Sequence, residues 1–213
     1  MKKKIYRFMI YFIGILFVSL GIVLCVKCEL GVSPISCVPY VMESLTPLTF
    51  GTLTMLFHFI NSIIQYILEK QRWNIKVLLQ IPVAFLFGST IDLFKNIINL
   101  PVENMKFKII WMIVSIICTA FGMHLMLSMR LVQNPPDGTV DLLACLLHKD
   151  VGTVKIFYDI LMVLLSVLLG IIFLHHPKGF GAATICSAIF VGKTLTWMRR
   201  HIKLNQEKCY FNS

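Results

Sequence analysis

The sequence predicts an all-α polytopic membrane protein: six transmembrane helices arranged as two inverted three-helix repeats, each with a short re-entrant or broken helix. Composition, an internal duplication and the spread of basic residues predict it. Of the 213 residues, 57% are hydrophobic and 14% charged, and the mean hydropathy is +0.81. That is too little polar surface to cover a water-soluble globule of this size. At a constant offset of 101, Ile15, Gly21, Leu24, Leu30, Pro34, Leu45, Gly51 and Thr52 fall on Ile116, Gly122, Leu125, Leu131, Pro135, Leu146, Gly152 and Thr153. The matches include the Gly and Pro residues that punctuate the apolar blocks, so a duplicated membrane unit is the economical reading. The halves divide as 1–105 and 106–213.

Six segments are long and apolar enough to cross about 30 Å of hydrocarbon, which takes roughly 20 helical residues. They lie near Phe8–Val26, Leu48–Leu68, Val77–Ile97, Phe107–Met129, Val154–Leu174 and Phe180–Met198. Lys2, Lys3, Lys4 and Arg7 precede the first, as in a signal peptide. Its apolar run exceeds the usual signal core and no small-residue cleavage site follows, so it is expected to remain as a span.

The basic residues set the orientation. With the N-terminus inside, 14 of them fall on the cytoplasmic side: Lys2, Lys3, Lys4, Arg7, Lys70, Arg72, Lys76, Arg130, Lys149, Lys155, Arg199, Arg200, Lys203 and Lys208. Lys27, Lys95, Lys106, Lys108 and Lys178 fall outside. Both termini are therefore expected in the cytoplasm of a multi-pass protein. Three crossings per repeat invert the second copy relative to the first. The net charge of +10 sits in clusters between apolar runs, which suits anionic lipid headgroups and not nucleic acid.

Between the first and second span of each half lies a segment too short to cross: Gly31–Leu45 and Val132–Leu147. Each opens on Pro with small or polar residues, then runs apolar, as a helix entering and leaving by one face would. Such a break leaves backbone groups unpaired at membrane depth, so protein or a wet cavity must surround it.

Leu30-Gly31-Val32-Ser33-Pro34, Pro136-Asp137-Gly138 followed by Gly152, and Gly179-Phe180-Gly181-Ala182 with Gly192 resemble the YczE/YyaS/YitT group of bacterial integral membrane proteins. The resemblance implies a polytopic protein of the bacterial inner membrane, for most members without an assigned substrate or reaction. Ser36 stands where many relatives carry an acidic residue, and Ala182 where Thr often follows the Gly-x-Gly.

Ionisable residues inside apolar segments point to candidate sites, because each is costly there unless paired or hydrated. Asp137 and Asp141, four apart, share one face of a helix starting near Pro136. Asp137 is expected to favour the helix N-terminus, and Asp141 is a candidate cation or proton site. Asp159 and its repeat partner His58 are candidate proton carriers, although Lys155, one turn before Asp159, offers a local salt bridge. Lys193 either snorkels to headgroups or serves as a functional charge. Asp92 and Lys95 are expected to satisfy each other, and His124 to be a satisfied core histidine. Gly88 and Gly192, matched at an offset of 104, are expected at close helix contacts.

No metal site is expected. His175 and His176 lack a third ligand, and Cys25-Val26-Lys27-Cys28 lacks a second pair. No nucleotide-binding loop, G-x-S-x-G or H-E-x-x-H motif occurs, so neither an enzyme nor a cofactor is expected. Inverted repeats with broken helices are the architecture of secondary transporters, which makes a small-molecule or ion transporter the leading expectation. Ser33, Pro34 and Ser36 from one half and Asp137, Gly138, Thr139 and Asp141 from the other would hold the ligand, with His58, Asp159 and Lys193 as an ion or proton relay. A membrane accessory or assembly protein that moves nothing is the alternative. Self-association is compatible with either.

Overall fold

A computed structural model describes residues 2–69, 75–99, 104–129 and 131–202. Lys70, Arg72, Arg130, Lys203 and Lys208, part of the charge count, lie outside the described residues. The described chain is helical: α1 Lys2–Lys27, a 3₁₀ turn Pro34–Ser36, α2 Cys37–Glu43, α3 Phe50–Leu68, α4 Ile75–Leu78, α5 Gln80–Ile97, α6 Met105–Met129, α7 Pro135–Leu147, α8 Val151–Leu169 continued by a π turn Gly170–Leu174, and α9 Ala182–His201. Among the described residues, four stretches have the length and hydropathy to cross a bilayer: Ile5–Lys27, Phe50–Leu68, Met105–Met129 and Val151–Leu174.

The third and sixth expected spans are helices of adequate length but lower hydropathy. α5 is 18 residues long and carries Gln80, Asp92 and Lys95; α9 is 20 long and carries Lys193, Arg199, Arg200 and His201. The third also starts later than its apolar run. Pro82 has no N–H, and its ring collides with the carbonyl four residues back, which ends α4 at Leu78.

Two caps occupy equivalent places in the duplicated pattern. Thr49 accepts from the Thr52 N–H at the start of α3, and Asp150 accepts from the Thr153 N–H at the start of α8, both at 3.2 Å. Each satisfies a donor that the first turn leaves without a helical acceptor.

α1 and α6 run antiparallel over most of their length. Arg7 and Tyr11 donate to the Met129 and Val132 carbonyls at 2.5 and 3.0 Å, while further along α1 Gly21 lies against Ser115. Glycine permits the approach: a Cβ on Gly122 would stand 2.6 Å from the Gly14 carbonyl oxygen, and one on Gly21 would stand 2.8 Å from that of Ser115. Tyr11, Ile15, Val18, Phe50, Phe87, Ile91 and Met126 form the main core, joining α1, α3, α5 and α6. Around it, α5 packs on α1 and α9 on α6, while α2 and α7 each pack on both α3 and α8. α3 and α5 touch through Gly51 and Gly88; α8 and α9 make no comparable contact, and a Cβ on Gly192 would meet nothing within 4 Å. Among the described residues the close contact expected at Gly192 is therefore absent, and that face of α9 is open.

Candidate functional site

The seven candidate binding residues divide between two places. Ser33, Pro34 and Ser36 belong to a joint between the loop after α1 and the loop before α9. There the Val32 N–H donates to the Gly179 carbonyl at 3.0 Å, and the Ala183 N–H to the Leu30 carbonyl at 2.8 Å. Gly31 and Gly179 hold φ of +107° and +87°, and a Cβ on Gly31 would stand 2.7 Å from the Gly181 nitrogen. Only glycine enters that backbone region at little cost. Two of the stretches that carry the family resemblance thus interlock. Thr184 Oγ1 donates to the Gly179 carbonyl at 3.2 Å, while the Ser33 and Ser36 hydroxyls face each other at 3.3 Å. Ser36 and Pro34 are buried.

Asp137, Gly138 and Thr139 lie instead at the start of α7, against α3 and α8. Pro135 and Pro136 open the helix where missing N–H groups cost nothing, and Asp137 places its carboxylate in the first turn. Gly138 admits Gln65, whose Oε1 would stand 2.6 Å from a Cβ there. Across this contact runs a buried hydrogen-bond network. Gln65 Nε2 donates to the Pro135 carbonyl at 2.8 Å and to Gln80 Oε1 at 3.1 Å, and Gln80 Nε2 returns a bond to Gln65 Oε1 at 3.0 Å. Ser62 donates to Gln80 Oε1 at 2.9 Å, and Tyr158 to Asn61 Oδ1 at 2.7 Å. Thr139 Oγ1 lies within bonding distance of the Pro135 and Asn61 carbonyls, at 3.1 and 3.3 Å.

Sequence reasoning missed most of this network. Its signal was the spacing of His58, Asn61, Ser62 and Gln65, which puts four polar side chains on one stripe of an otherwise apolar helix. All four are buried. Partners elsewhere in the chain satisfy three of the four: α5 bonds Ser62 and Gln65, α7 bonds Gln65, and α8 bonds Asn61.

Beside the network, Lys155 stands between two carboxylates, 3.5 Å from Asp137 and 3.1 Å from Asp159. The local bridge to Asp159 is present, and Asp137 joins it from α7. Asp141 does not share this place: it is exposed and accepts from Gln133 at 2.5 Å. His58 is 2% exposed, its ring 5.1 Å from that of Phe87, and its Nδ1 has no hydrogen-bond partner among the described residues. No ion pair joins it to Asp159 among those residues. Lys193 is exposed on α9 with its ammonium 5.8 Å over the Phe190 ring, away from both carboxylates' partner Lys155.

Two expected pairings take other forms. Asp92 accepts from the Gly51 N–H at 2.8 Å and the Thr49 hydroxyl at 2.5 Å, bracing the start of α3, while Lys95 pairs with Glu43. Each charge thereby meets a different element, because α5 passes the ends of both α2 and α3. His124 is 1% exposed, and neither ring nitrogen has a partner among the described residues. α2 and α7 both pack on α8, and Val38 of α2 reaches the cluster that Val140 and Ala144 of α7 form with Val154, Tyr158 and Met162 of α8, so the two short segments come together mainly through α8.

A profile of a family of unknown function, DUF6198, matches residues 5–200. The uncharacterized protein YyaS of Bacillus subtilis (strain 168) is 29% identical over 185 residues, which is 84% of this chain and 87% of that protein. No solved structure matches. The family match over residues 5–200 takes in the glycine joint, the polar network and the paired carboxylates, and the chain belongs to the DUF6198 family, with YyaS as a relative.

Proposed function

We propose that this protein is a secondary transporter of a small molecule or ion in the bacterial inner membrane, with six spans in two inverted halves, 1–105 and 106–213, and both termini in the cytoplasm. The observation that carries the reading is the polar cluster where α3, α5, α7 and α8 meet, with Lys155 between Asp137 and Asp159 and, on α3, the buried His58, whose Nδ1 has no partner among the described residues. Charges in such a place are costly to keep and are characteristic of ion and substrate paths. Lys155 would act as a built-in counter-cation, released when a proton or cation neutralises a carboxylate.

The packing supports the inverted arrangement. Exchanging α1 with α6, α2 with α7, α3 with α8 and α5 with α9 turns the α1–α5 contact into α6–α9, α2–α3 into α7–α8, and α3–α7 into α2–α8, all of which are formed. The Gly14–Gly122 approach maps by the same exchange onto Ser115–Gly21, also formed. Reporter fusions test the topology: joined after residues 72 and 150 they should report cytoplasm, and after 103 and 178 the outer side.

The accessory reading draws on the same network from the other direction, since its amides and hydroxyls largely satisfy one another, as in a structural lock. Purified protein in liposomes separates the two. A transporter shows saturable flux from a panel of ions and metabolites, lost in Asp159→Asn while the fold survives. Folded protein that moves none of them supports the accessory role.

A further inference from the structure

We propose that the open face of α9 is a binding site for one anionic phospholipid. Gly192 matches Gly88 in the duplicated pattern. Gly88 is covered by α3, with the Gly51 carbonyl oxygen 2.5 Å from where its Cβ would be. Among the described residues Gly192 has no such cover, because α8 stands away from α9. What remains is an open groove of about 470 Å³ along α9, centred on Gly192 and Thr196, with Ile189 at one end and Lys193, Trp197 and Arg200 along it.

The chemistry of the lining selects the occupant. Lys193, Arg200 and His201 are basic, and none of the lining residues is acidic. Positions 193, 197 and 200 share one helical stripe, so the two charges lie about 10 Å apart along the axis. That is enough to hold a phosphate at the lower end while the Lys193 stem lies along acyl chain. The indole of Trp197 stacks on His201 at 4.8 Å and 26°, an amphipathic pair suited to the headgroup boundary. A second copy of this chain, docking the same face on itself, would oppose like charges. A lipid brings the missing negative charge and an apolar tail for the Ile189 and Gly192 surface.

The test uses Trp197 as its own reporter. In a Trp73→Phe/Trp111→Phe background, the full-length protein is reconstituted in phosphatidylcholine vesicles containing increasing brominated phosphatidylglycerol or, separately, brominated phosphatidylcholine. Quenching of Trp197 should reach half-maximum at a lower mole fraction of the anionic lipid. Lys193→Gln and Arg200→Gln should each weaken that preference about fivefold, following the usual contribution of one basic residue near an anionic surface. Gly192→Leu, filling the groove, should reduce quenching by both lipids without unfolding the helix. Equal quenching by the two lipids overturns the proposal. So does protection of Trp197 from both, which would mean that α8 or a second copy covers the face. Displacement of the lipid by millimolar inorganic phosphate would assign the site to free phosphate and overturn it as well.

Discussion

Gln65 and Gln80 are joined head to tail, each side-chain amide donating to the other's oxygen at 3.1 and 3.0 Å. Gln65 also reaches the Pro135 carbonyl, so one side chain ties α3 to both α5 and α7. Leucine at either position strands a buried amide. Gln80→Leu should cost about 1–2 kcal/mol, within the range for polar contacts among membrane helices, and Gln65→Leu more, because it also frees Pro135. The double variant should cost less than the sum, since neither partner is then left alone. Thermal unfolding in detergent micelles of the four proteins in this cycle measures the coupling.

Gly31 and Gly192 predict opposite outcomes for the same substitution. Gly31 combines a φ of +107° with the Gly181 backbone 2.7 Å from a new Cβ, and two backbone hydrogen bonds prevent the loops from separating. Gly31→Ala should destabilise by at least about 2 kcal/mol. Gly192→Ala meets open space inside a helix and should be neutral or stabilise by about 1 kcal/mol through helix propensity. Unfolding midpoints of the two variants check both.

Much of the fold was legible because hydropathy and punctuation act locally. Pro34 and Pro135 marked the short helices, and Thr52 and Thr153, matched in the duplicated pattern, lie in the first turns of α3 and α8, where their N–H groups meet caps three residues back. Less legible was anything decided by partners distant in sequence. Asp92 and Lys95 looked like a pair at a separation of three residues, yet α2 and α3 offered each a better partner. Asp137 and Asp141 share a face by spacing, but Lys155 of α8 reaches only Asp137, while Asp141 is exposed and bonds Gln133. The polar stripe on α3 was visible as spacing, while the identity of its partners depends on how four helices converge. The glycine motifs carried the resemblance without disclosing that two of them meet, because that contact spans about 150 residues.

Lys155 holds two carboxylates at once, so its removal leaves like charges facing each other. Lys155→Met should cost about 1–3 kcal/mol, less than for a fully buried pair because the three side chains are 17–32% exposed. Asp159→Asn in that background should restore part of the loss, since a single carboxylate then remains at the helix start. If unfolding of the double variant is no better than that of Lys155→Met, repulsion between Asp137 and Asp159 is not what destabilises the single variant.

His58 offers the sharpest separation between a carrier and a scaffold. Its imidazole is 2% exposed, packed on Phe87, with Nδ1 unpartnered among the described residues. A buried nitrogen without a partner costs stability, so His58→Leu, close in volume and free of polar atoms, should stabilise by about 1 kcal/mol. What the two readings dispute is whether the imidazole performs a task that leucine cannot. In the transporter reading that task is to take and release a proton, so the stabilised variant should lose coupled flux in liposomes. In the scaffold reading nothing is lost, and the variant should be the better protein by every measure. A stabilised His58→Leu that keeps full flux excludes the imidazole as a proton carrier and leaves Asp137, Lys155 and Asp159 to carry the charge.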